Sequence, residues 1–233
     1  MGTVTILPET TKDPISLIGR RAGICWGADI SDPVKNYKRG LDCLESEHGR
    51  TLEFPDVELL LDGYSARVIR EWYTHIGCLP TRLQASTRYI NYKNPSYIIP
   101  PSIENNEFAK IRYINTMNML FETLGALEDI GIPREDAANI LPLGMTTRIV
   151  DKRNLRNYID MSHQRMCNRA LWEFRGLFSD IRKELREYSD EWKEIVDGYL
   201  IPKCEYRGFC TEKYSCGRKP KLDRAKQTNN GNV

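Results

Sequence analysis

The sequence predicts a mixed fold of the α/β or α+β class, organised as one compact domain. Segments with apolar residues at every third or fourth position, typical of helices, alternate with short runs rich in β-branched residues, which favour strands. The chain has 233 residues, 40% of them hydrophobic and 28% charged, which suits a globular protein with a substantial core. It contains no internal repeat and no long linker, so a single domain over residues 1–200 is the simplest organisation.

The first part of the chain contains two predicted strands and two predicted helices. A short strand is expected at Val4–Leu7, and a helix begins at Ser31-Asp32-Pro33 because proline favours the first helical position. Gly49 is expected to end that helix in a left-handed conformation. Residues 51–63 are predicted to form a strand, and residues 64–76 a second helix.

The remainder of the chain is predicted to be mainly helical. Apolar residues at helical spacing predict a helix between Pro101 and Gly131 and another from Leu155 to Tyr188. Between them lie a short helix that ends at Pro142 and a strand-like run at 145–150.

The polar stretch 81–97 is the main candidate for ligand binding. It carries Arg82, Gln84, Ser86 and Arg88 within seven residues and shows no helical or strand period. Guanidinium groups beside a hydroxyl and an amide suit the recognition of a phosphate and of the edge of a planar heterocycle. A polar surface loop with two arginines is the alternative that these residues leave open.

A second group of arginines lies on the last predicted helix. Arg156 and Arg165 are nine positions apart, about two and a half turns, so they point to different sides and are expected to meet different ligands. A solvated basic face is the alternative. The sequence lacks the motifs of α/β-hydrolases, P-loop NTPases, zinc metalloproteases and dinucleotide-binding folds, which argues against those classes.

Net charge, hydropathy and cysteine content limit the expected partners and the expected cellular compartment. The formal net charge of +2 gives no argument for a nucleic-acid partner, and no apolar run reaches the ~20 residues that span a bilayer. Residues 1–12 do not resemble a secretory signal, so the seven cysteines are expected to be reduced in a cytoplasmic protein.

Cys204, Cys210 and Cys216 are evenly spaced in a C-terminal extension at 201–220, ahead of a predicted flexible tail at 221–233. Their spacing matches neither the paired cysteines of zinc sites nor the common iron–sulfur runs. A metal would need a fourth ligand. The candidates are Cys25, Cys43, Cys78 and Cys167. A lobe packed by three reduced thiols, without metal, is the simpler prediction.

Several short motifs, taken in order, resemble the signature of the flavin-dependent thymidylate synthases. Arg70–Ile76 is similar to the family's Arg-Gln-Trp and Arg-His-Arg elements, and Gln84–Tyr89 to its Glu-x-Ser-x-Arg-Tyr loop. Thr51–Glu53 resembles an upstream Ser/Thr-Pro-x-Glu-His segment. Downstream, Ile140–Arg148 resembles Leu-Pro-Leu-x-x-x-Thr-Arg, and Asn154–Glu173 resembles Asn-x-Arg followed by Arg-x-x-x-x-Ala-Gln-Trp-Glu. The match covers about residues 20–185.

The sequence also departs from that signature. Thr74 and Ile76 stand where the family has the two arginines of Arg-His-Arg, and Gln84 stands where it has glutamate. The loop carries about two extra residues around Leu79-Pro80, and Arg82 within it is expected to replace a lost cation.

The resemblance implies a thymidylate synthase-complementing-protein-like fold, with a central antiparallel sheet flanked by long helices. It implies a homotetramer whose active sites form where subunits meet. The implied reaction is the reductive methylation of dUMP to dTMP, with methylenetetrahydrofolate as carbon donor, FAD as cofactor and NADPH as reductant. A hydroxymethyl transfer on the same scaffold and a non-catalytic nucleotide- or nucleic-acid-binding module are the alternatives.

The resemblance also implies roles for individual side chains. The substrate-binding residues are Glu71, Gln84, Ser86, Arg88, Arg148 and Arg165. Arg165 is also the catalytic candidate, because a fixed guanidinium can stabilise charge that develops on a ring carbonyl. The cofactor-binding residues are Thr51, Glu53, His75, Arg82, Asn154 and Arg156.

Overall fold

A computed structural model describes residues 2–92 and 95–222, so nearly all of the predicted tail lies outside the described residues. Contacts divide the chain into two compact units. The sheet unit contains the chain up to Glu9 together with Glu58–Lys152. The helical unit contains Thr10–Val57 and the chain from Arg153 onward. The single domain at 1–200 and the extension at 201–220 stay predictions.

Four strands, ten α-helices and two short 3₁₀ helices, Thr51–Glu53 and Ala138–Ile140, make up the regular structure of the described residues. In chain order the strands and α-helices are β1 (Thr3–Ile6), α1 (Pro14–Cys25), α2 (Pro33–Glu45), β2 (Asp56–Ser65), α3 (Ala66–Trp72), β3 (Thr81–Gln84), α4 (Pro101–Glu104), α5 (Glu107–Asp129), α6 (Arg134–Ala137), β4 (Thr146–Asn154), α7 (Leu155–Arg165), α8 (Trp172–Tyr188), α9 (Asp190–Gly198) and α10 (Lys203–Arg207). The α+β class with an antiparallel sheet is confirmed.

The sheet unit is built on strand order β1-β2-β4-β3. Gln84 of β3 lies opposite Ile149 of β4, and the strands run antiparallel. The predicted strands at 4–7 and 145–150 are confirmed with shifted ends. The loop assignment for the start of 81–97 is wrong, because Thr81–Gln84 pairs with β4 as an edge strand. A four-residue strand is too short to show its period, and its pairing partner lies more than sixty residues away.

Two glycines allow α1 and α2 to pack closely in the helical unit. A Cβ at Gly40 would lie 2.0 Å from the carbonyl oxygen of Ile15, and one at Gly19 would lie 1.7 Å from that of Asn36. Helix α2 begins as predicted, with the Asp32 carboxylate accepting hydrogen bonds from two backbone N–H groups of its first turn. Its end differs from the prediction, because Glu47 rather than Gly49 adopts the left-handed conformation, with φ of 54°.

The predicted helix from Leu155 to Tyr188 is wrong, because it is two helices. Helix α7 ends at Arg165 and α8 begins at Trp172. The carbonyl of Met166 accepts a hydrogen bond from Arg218 at 3.0 Å, and that of Asn168 accepts one from Arg175 at 2.9 Å. Arginine side chains therefore satisfy backbone groups that a continuous helix would pair internally.

The helices α1, α9 and α10 were not anticipated from the sequence. Within the described residues, no helix combines the length and the apolar character that crossing a bilayer requires.

Candidate functional site

Arg82 is held against Tyr73 in the sheet unit. Its Nη1 donates to the carbonyl oxygen of Tyr73 at 3.0 Å, and its guanidinium lies 4.3 Å from the centre of the Tyr73 ring. Burial raises the pKa of Tyr73, and the charge of Arg82 opposes that rise. No carboxylate of the described chain forms an ion pair with Arg82. The guanidinium is therefore fixed in place and open to an anionic ligand.

Gln84 and Arg148 lie on opposite faces of the sheet. The Nε2 of Gln84 donates to Thr147 Oγ1 at 3.3 Å, so Gln84 shares the face of Thr147. Successive side chains of a strand alternate between faces, which places Arg148 on the other one. There its Nε donates to an Asp62 carboxylate oxygen at 2.9 Å, and its Nη2 bonds the same oxygen. This ion pair raises the pKa of Arg148.

Ser86 and Arg88 form a turn directly after β3. The backbone N–H of Arg88 donates to Ser86 Oγ at 3.2 Å, which fixes that hydroxyl. The Arg88 Nε lies 3.4 Å from a Glu135 carboxylate oxygen, and both side chains are about 60% exposed, at 61% and 62%. Such an exposed pair is weak, so Arg88 can exchange its partner for a ligand.

The helix α3 and the loop after it hold the altered family element. Glu71 and His75 are half-buried there. The Thr74 hydroxyl donates to the Glu71 carbonyl at 2.7 Å, and Ile76 is 67% exposed, so neither supplies the cation of the family signature. In the lengthened loop, Cys78 and its neighbour Leu79 both have left-handed φ values, 57° and 52°. Non-glycine residues rarely adopt that conformation, so the surrounding chain must hold this loop in place.

In the helical unit, Glu53 joins two arginines. Its carboxylate accepts from Arg156 Nη1 at 2.7 Å and from Arg50 Nη1 at 3.1 Å. The neighbouring Thr51 hydroxyl donates to the His48 carbonyl at 2.8 Å. Asn154 is buried and caps α7, with its side-chain oxygen accepting from the Asn157 N–H at 3.1 Å. Asn154 therefore orients the helix that carries Arg156.

Arg165 ends α7 and lines a cavity of about 380 Å³ in the helical unit. Its guanidinium lies 5.0 Å from the centre of the Phe174 ring. His163 lines the same cavity, and its Nε2 is buried without a hydrogen-bond partner among the described residues. Burial lowers the pKa of His163 below its ordinary value of 6.5.

The structure sorts the proposed residues into two groups. Those in the sheet unit are Glu71, His75, Arg82, Gln84, Ser86, Arg88 and Arg148, and those in the helical unit are Thr51, Glu53, Asn154, Arg156 and Arg165. Sequence reasoning missed the residues that hold the arginines: Tyr73, Asp62 and Glu135. The residues that carry the motifs supply guanidinium, hydroxyl and amide groups, a set suited to binding anions and polarising carbonyls.

Comparison with known proteins identifies the family. The family model described as thymidylate synthase complementing protein matches residues 7–189. The chain belongs to this family. Its resemblance to the flavin-dependent thymidylate synthases is thereby confirmed. The family match ends before Cys204, so the cysteine-rich C-terminal segment lies beyond it.

Family members of known name are similar over most of this chain. A flavin-dependent thymidylate synthase of Nitratidesulfovibrio vulgaris is 27% identical over 90% of this chain and 92% of its own length. One from Geobacter sulfurreducens is 23% identical over 94% of this chain and 95% of its own. The crystal structure of ThyX from Helicobacter pylori, complexed with FAD and dUMP, aligns with a TM-score of 0.64 at 19% identity. It covers 82% of this chain and 98% of that one, which supports the shared fold.

Proposed function

We propose that this protein is a flavin-dependent thymidylate synthase, which converts dUMP to dTMP by reductive methylation. The observation that carries the proposal is the family match over residues 7–189, together with the fixed guanidinium and hydroxyl groups at the matching motifs. Methylenetetrahydrofolate is the proposed carbon donor. FAD, when bound, supplies the hydride for the pyrimidine ring, and NADPH restores the reduced flavin.

The nucleotide is proposed to bind at the turn after β3. Ser86 Oγ and the Arg88 guanidinium offer hydrogen bonds to its phosphate, and Arg82, on the preceding strand β3, adds positive charge to the same segment of the chain. Glu71 and Gln84 are assigned to the uracil and ribose. Arg165 stays the catalytic candidate, because a guanidinium at a uracil carbonyl would stabilise the negative charge that develops as the ring is reduced.

The position of Arg148 supports a nucleotide site that is shared between copies of the chain. It lies on the sheet face opposite to Gln84, and a small nucleotide cannot contact both faces of one sheet. Arg148 of one copy is therefore proposed to complete the site built by Ser86 and Arg88 of another. A closed, symmetric homotetramer satisfies this requirement at every site.

The proposed cofactor-binding residues carry side chains that suit the binding of a flavin dinucleotide. Its diphosphate needs cations and N–H donors, and Arg82 in the sheet unit and Arg156 in the helical unit are each candidates for that role. His75, Thr51 and Asn154 offer polar groups, while Glu53 orients Arg156 rather than facing an anion itself. Arg82 is proposed to take over the charge that Thr74 and Ile76 no longer provide.

The proposal is tested by anaerobic assay of the purified protein with dUMP, methylenetetrahydrofolate, FAD and NADPH. We expect FAD to bind and dTMP to form. Protein that binds no FAD and forms no product would refute the assignment. The altered element at Thr74 and Ile76 makes a hydroxymethyl transfer the second candidate. Mass spectrometry of the product base distinguishes the two reactions, because a methyl and a hydroxymethyl group differ in mass by one oxygen.

A complementation experiment tests the shared site. At dUMP concentrations well below KM, Arg88→Ala and Arg148→Ala are each expected to lose most of their activity, whereas their co-expression should restore activity at about one quarter of the sites. If the activity of the co-expressed variants is no greater than the sum of their separate activities, both arginines of each site come from the same copy of the chain. Co-expressing Arg88→Ala with Ser86→Ala is the control. Both residues belong to the same copy's part of the site, so every mixed site lacks one of them and no restoration is expected.

A further inference from the structure

Four of the seven cysteines line one cavity in the helical unit. Cys167 lies in the segment between α7 and α8, Cys204 lies in α10, and Cys210 and Cys216 lie in the segment that follows. All four thiols are free of disulfides. They come from positions as far apart as 167 and 216, so their convergence is a product of the chain path rather than of a local motif.

Polar contacts hold the C-terminal segment around this cavity. Arg218 donates through Nη2 to Asn168 Oδ1 at 2.8 Å, and Arg169 donates to the Tyr214 carbonyl at 3.0 Å. Asn168 Nδ2 donates to Cys216 Sγ at 3.6 Å, within the longer range that sulfur acceptors allow. The backbone N–H of Cys210 donates to the Pro220 carbonyl at 2.7 Å. These hydrogen bonds therefore hold in place the segment that carries Cys210 and Cys216.

The cavity wall is strongly positive. One carboxylate, that of Glu212, lines it among the described residues. The cations that line it are Arg165, Arg169, Lys203, Arg218 and Lys219. Burial raises the pKa of the Cys204 thiol, and the charge of Arg218 opposes that rise, in the direction of the thiolate form that binds metal. These cations would also balance the negative charge of a bound group in which four thiolates outweigh the positive charge of the metal.

The size of the space argues against a single ion. Four sulfurs at ~2.3 Å from one tetrahedral zinc lie about 3.8 Å from each other. Among the described residues, no three Cys, His, Asp or Glu side chains are placed to hold one metal ion. The cavity measures about 380 Å³, against about 30 Å³ for a water molecule in the liquid. It has room for a group of several heavy atoms.

We propose that Cys167, Cys204, Cys210 and Cys216 hold a [4Fe–4S] cluster. Four cysteine thiolates are the ligand set that such clusters require, and the structure selects Cys167 from the possible fourth ligands. Ligation replaces the four S–H protons with Fe–S bonds and oxidises no side chain. The cluster ties the C-terminal segment to the segment between α7 and α8, beside Arg165.

The proposal is tested first on the unaltered full-length protein, purified anaerobically and reconstituted with sulfide and equal amounts of ferrous and ferric iron, which together supply the charge of a [4Fe–4S]²⁺ cluster. We expect about four iron atoms and four acid-labile sulfides per chain. Mössbauer spectra should show the cluster rather than isolated iron. Less than one iron per chain, iron without sulfide, or one zinc per chain in place of iron would overturn the proposal. None of these measurements requires nucleotide or flavin, so they are independent of the proposed activity.

Variants then test the ligand set. Cys167→Ala, Cys204→Ala, Cys210→Ala and Cys216→Ala are each expected to lose more than half of the iron and sulfide. The exposed cysteines Cys25 and Cys78 lie outside the cavity lining, so Cys25→Ala and Cys78→Ala serve as matched controls with full iron content. Equal losses in the controls, or full iron in Cys167→Ala with native circular dichroism, would contradict the assignment.

Discussion

Replacing Arg88 with alanine separates the binding role of this side chain from any structural one. In the structure its only ion-pair partner among the described residues is Glu135, at 3.4 Å, with both side chains exposed to solvent. Exposed pairs contribute about 0–1 kcal/mol, so Arg88→Ala should lower the free energy of unfolding by less than about 1 kcal/mol. The fold of the variant should therefore be intact.

The effect on catalysis should be much larger. A hydrogen bond between a guanidinium and a phosphate is worth roughly 1.5–3 kcal/mol. Its loss corresponds to about a 10- to 150-fold decrease in kcat/KM for dUMP, since about 1.4 kcal/mol is a factor of ten. Because the phosphate is bound equally in ground and transition states, most of the decrease should appear as a higher KM.

The assay is steady-state formation of dTMP at varied dUMP, under anaerobic conditions and saturating FAD and folate. Glu135→Gln is the matched control, because it removes the competing charge and should leave the KM for dUMP unchanged or slightly lower. An Arg88→Ala enzyme with unaltered KM, or a Glu135→Gln enzyme with the same loss, would show that this turn does not bind the nucleotide.

Three further predictions concern stability. Trp72→Phe removes the 2.8 Å hydrogen bond from Trp72 Nε1 to the fully buried Asp151, so urea unfolding should show a loss of about 1–3 kcal/mol, and a loss under 0.5 kcal/mol would argue against this bond. Gly40→Ala should lower the melting temperature by several degrees, because its Cβ would clash with the Ile15 carbonyl at 2.0 Å; an unchanged melting temperature would contradict the close packing of α1 and α2. The pKa of His163 is lowered in the folded protein, so the unfolded chain binds the extra proton as the pH falls through 6.5. The free energy of unfolding should therefore decline below that pH, and less so in His163→Gln. Identical pH profiles of the two proteins in chemical unfolding would refute this contribution.

Local signals in the sequence determined the secondary-structure features that depend on near neighbours. Asp32 and Pro33 marked the start of α2 correctly, because capping and the fixed φ of proline act within one turn. The family motifs, taken in order, indicated the antiparallel sheet and the family. The sequence also drew attention to Arg82, which the structure places in a fixed position against Tyr73.

Only the tertiary structure decided features that depend on distant partners. The edge strand at Thr81–Gln84 exists because β4 supplies its hydrogen bonds, and the register then places Gln84 and Arg148 on opposite faces. The apolar spacing through residues 155–188 continues across the break between α7 and α8, which Arg175 of α8 and the distant Arg218 stabilise. Cys167 meets the C-terminal cysteines for the same reason: the path of the folded chain, and no spacing within the sequence, sets the distance between them.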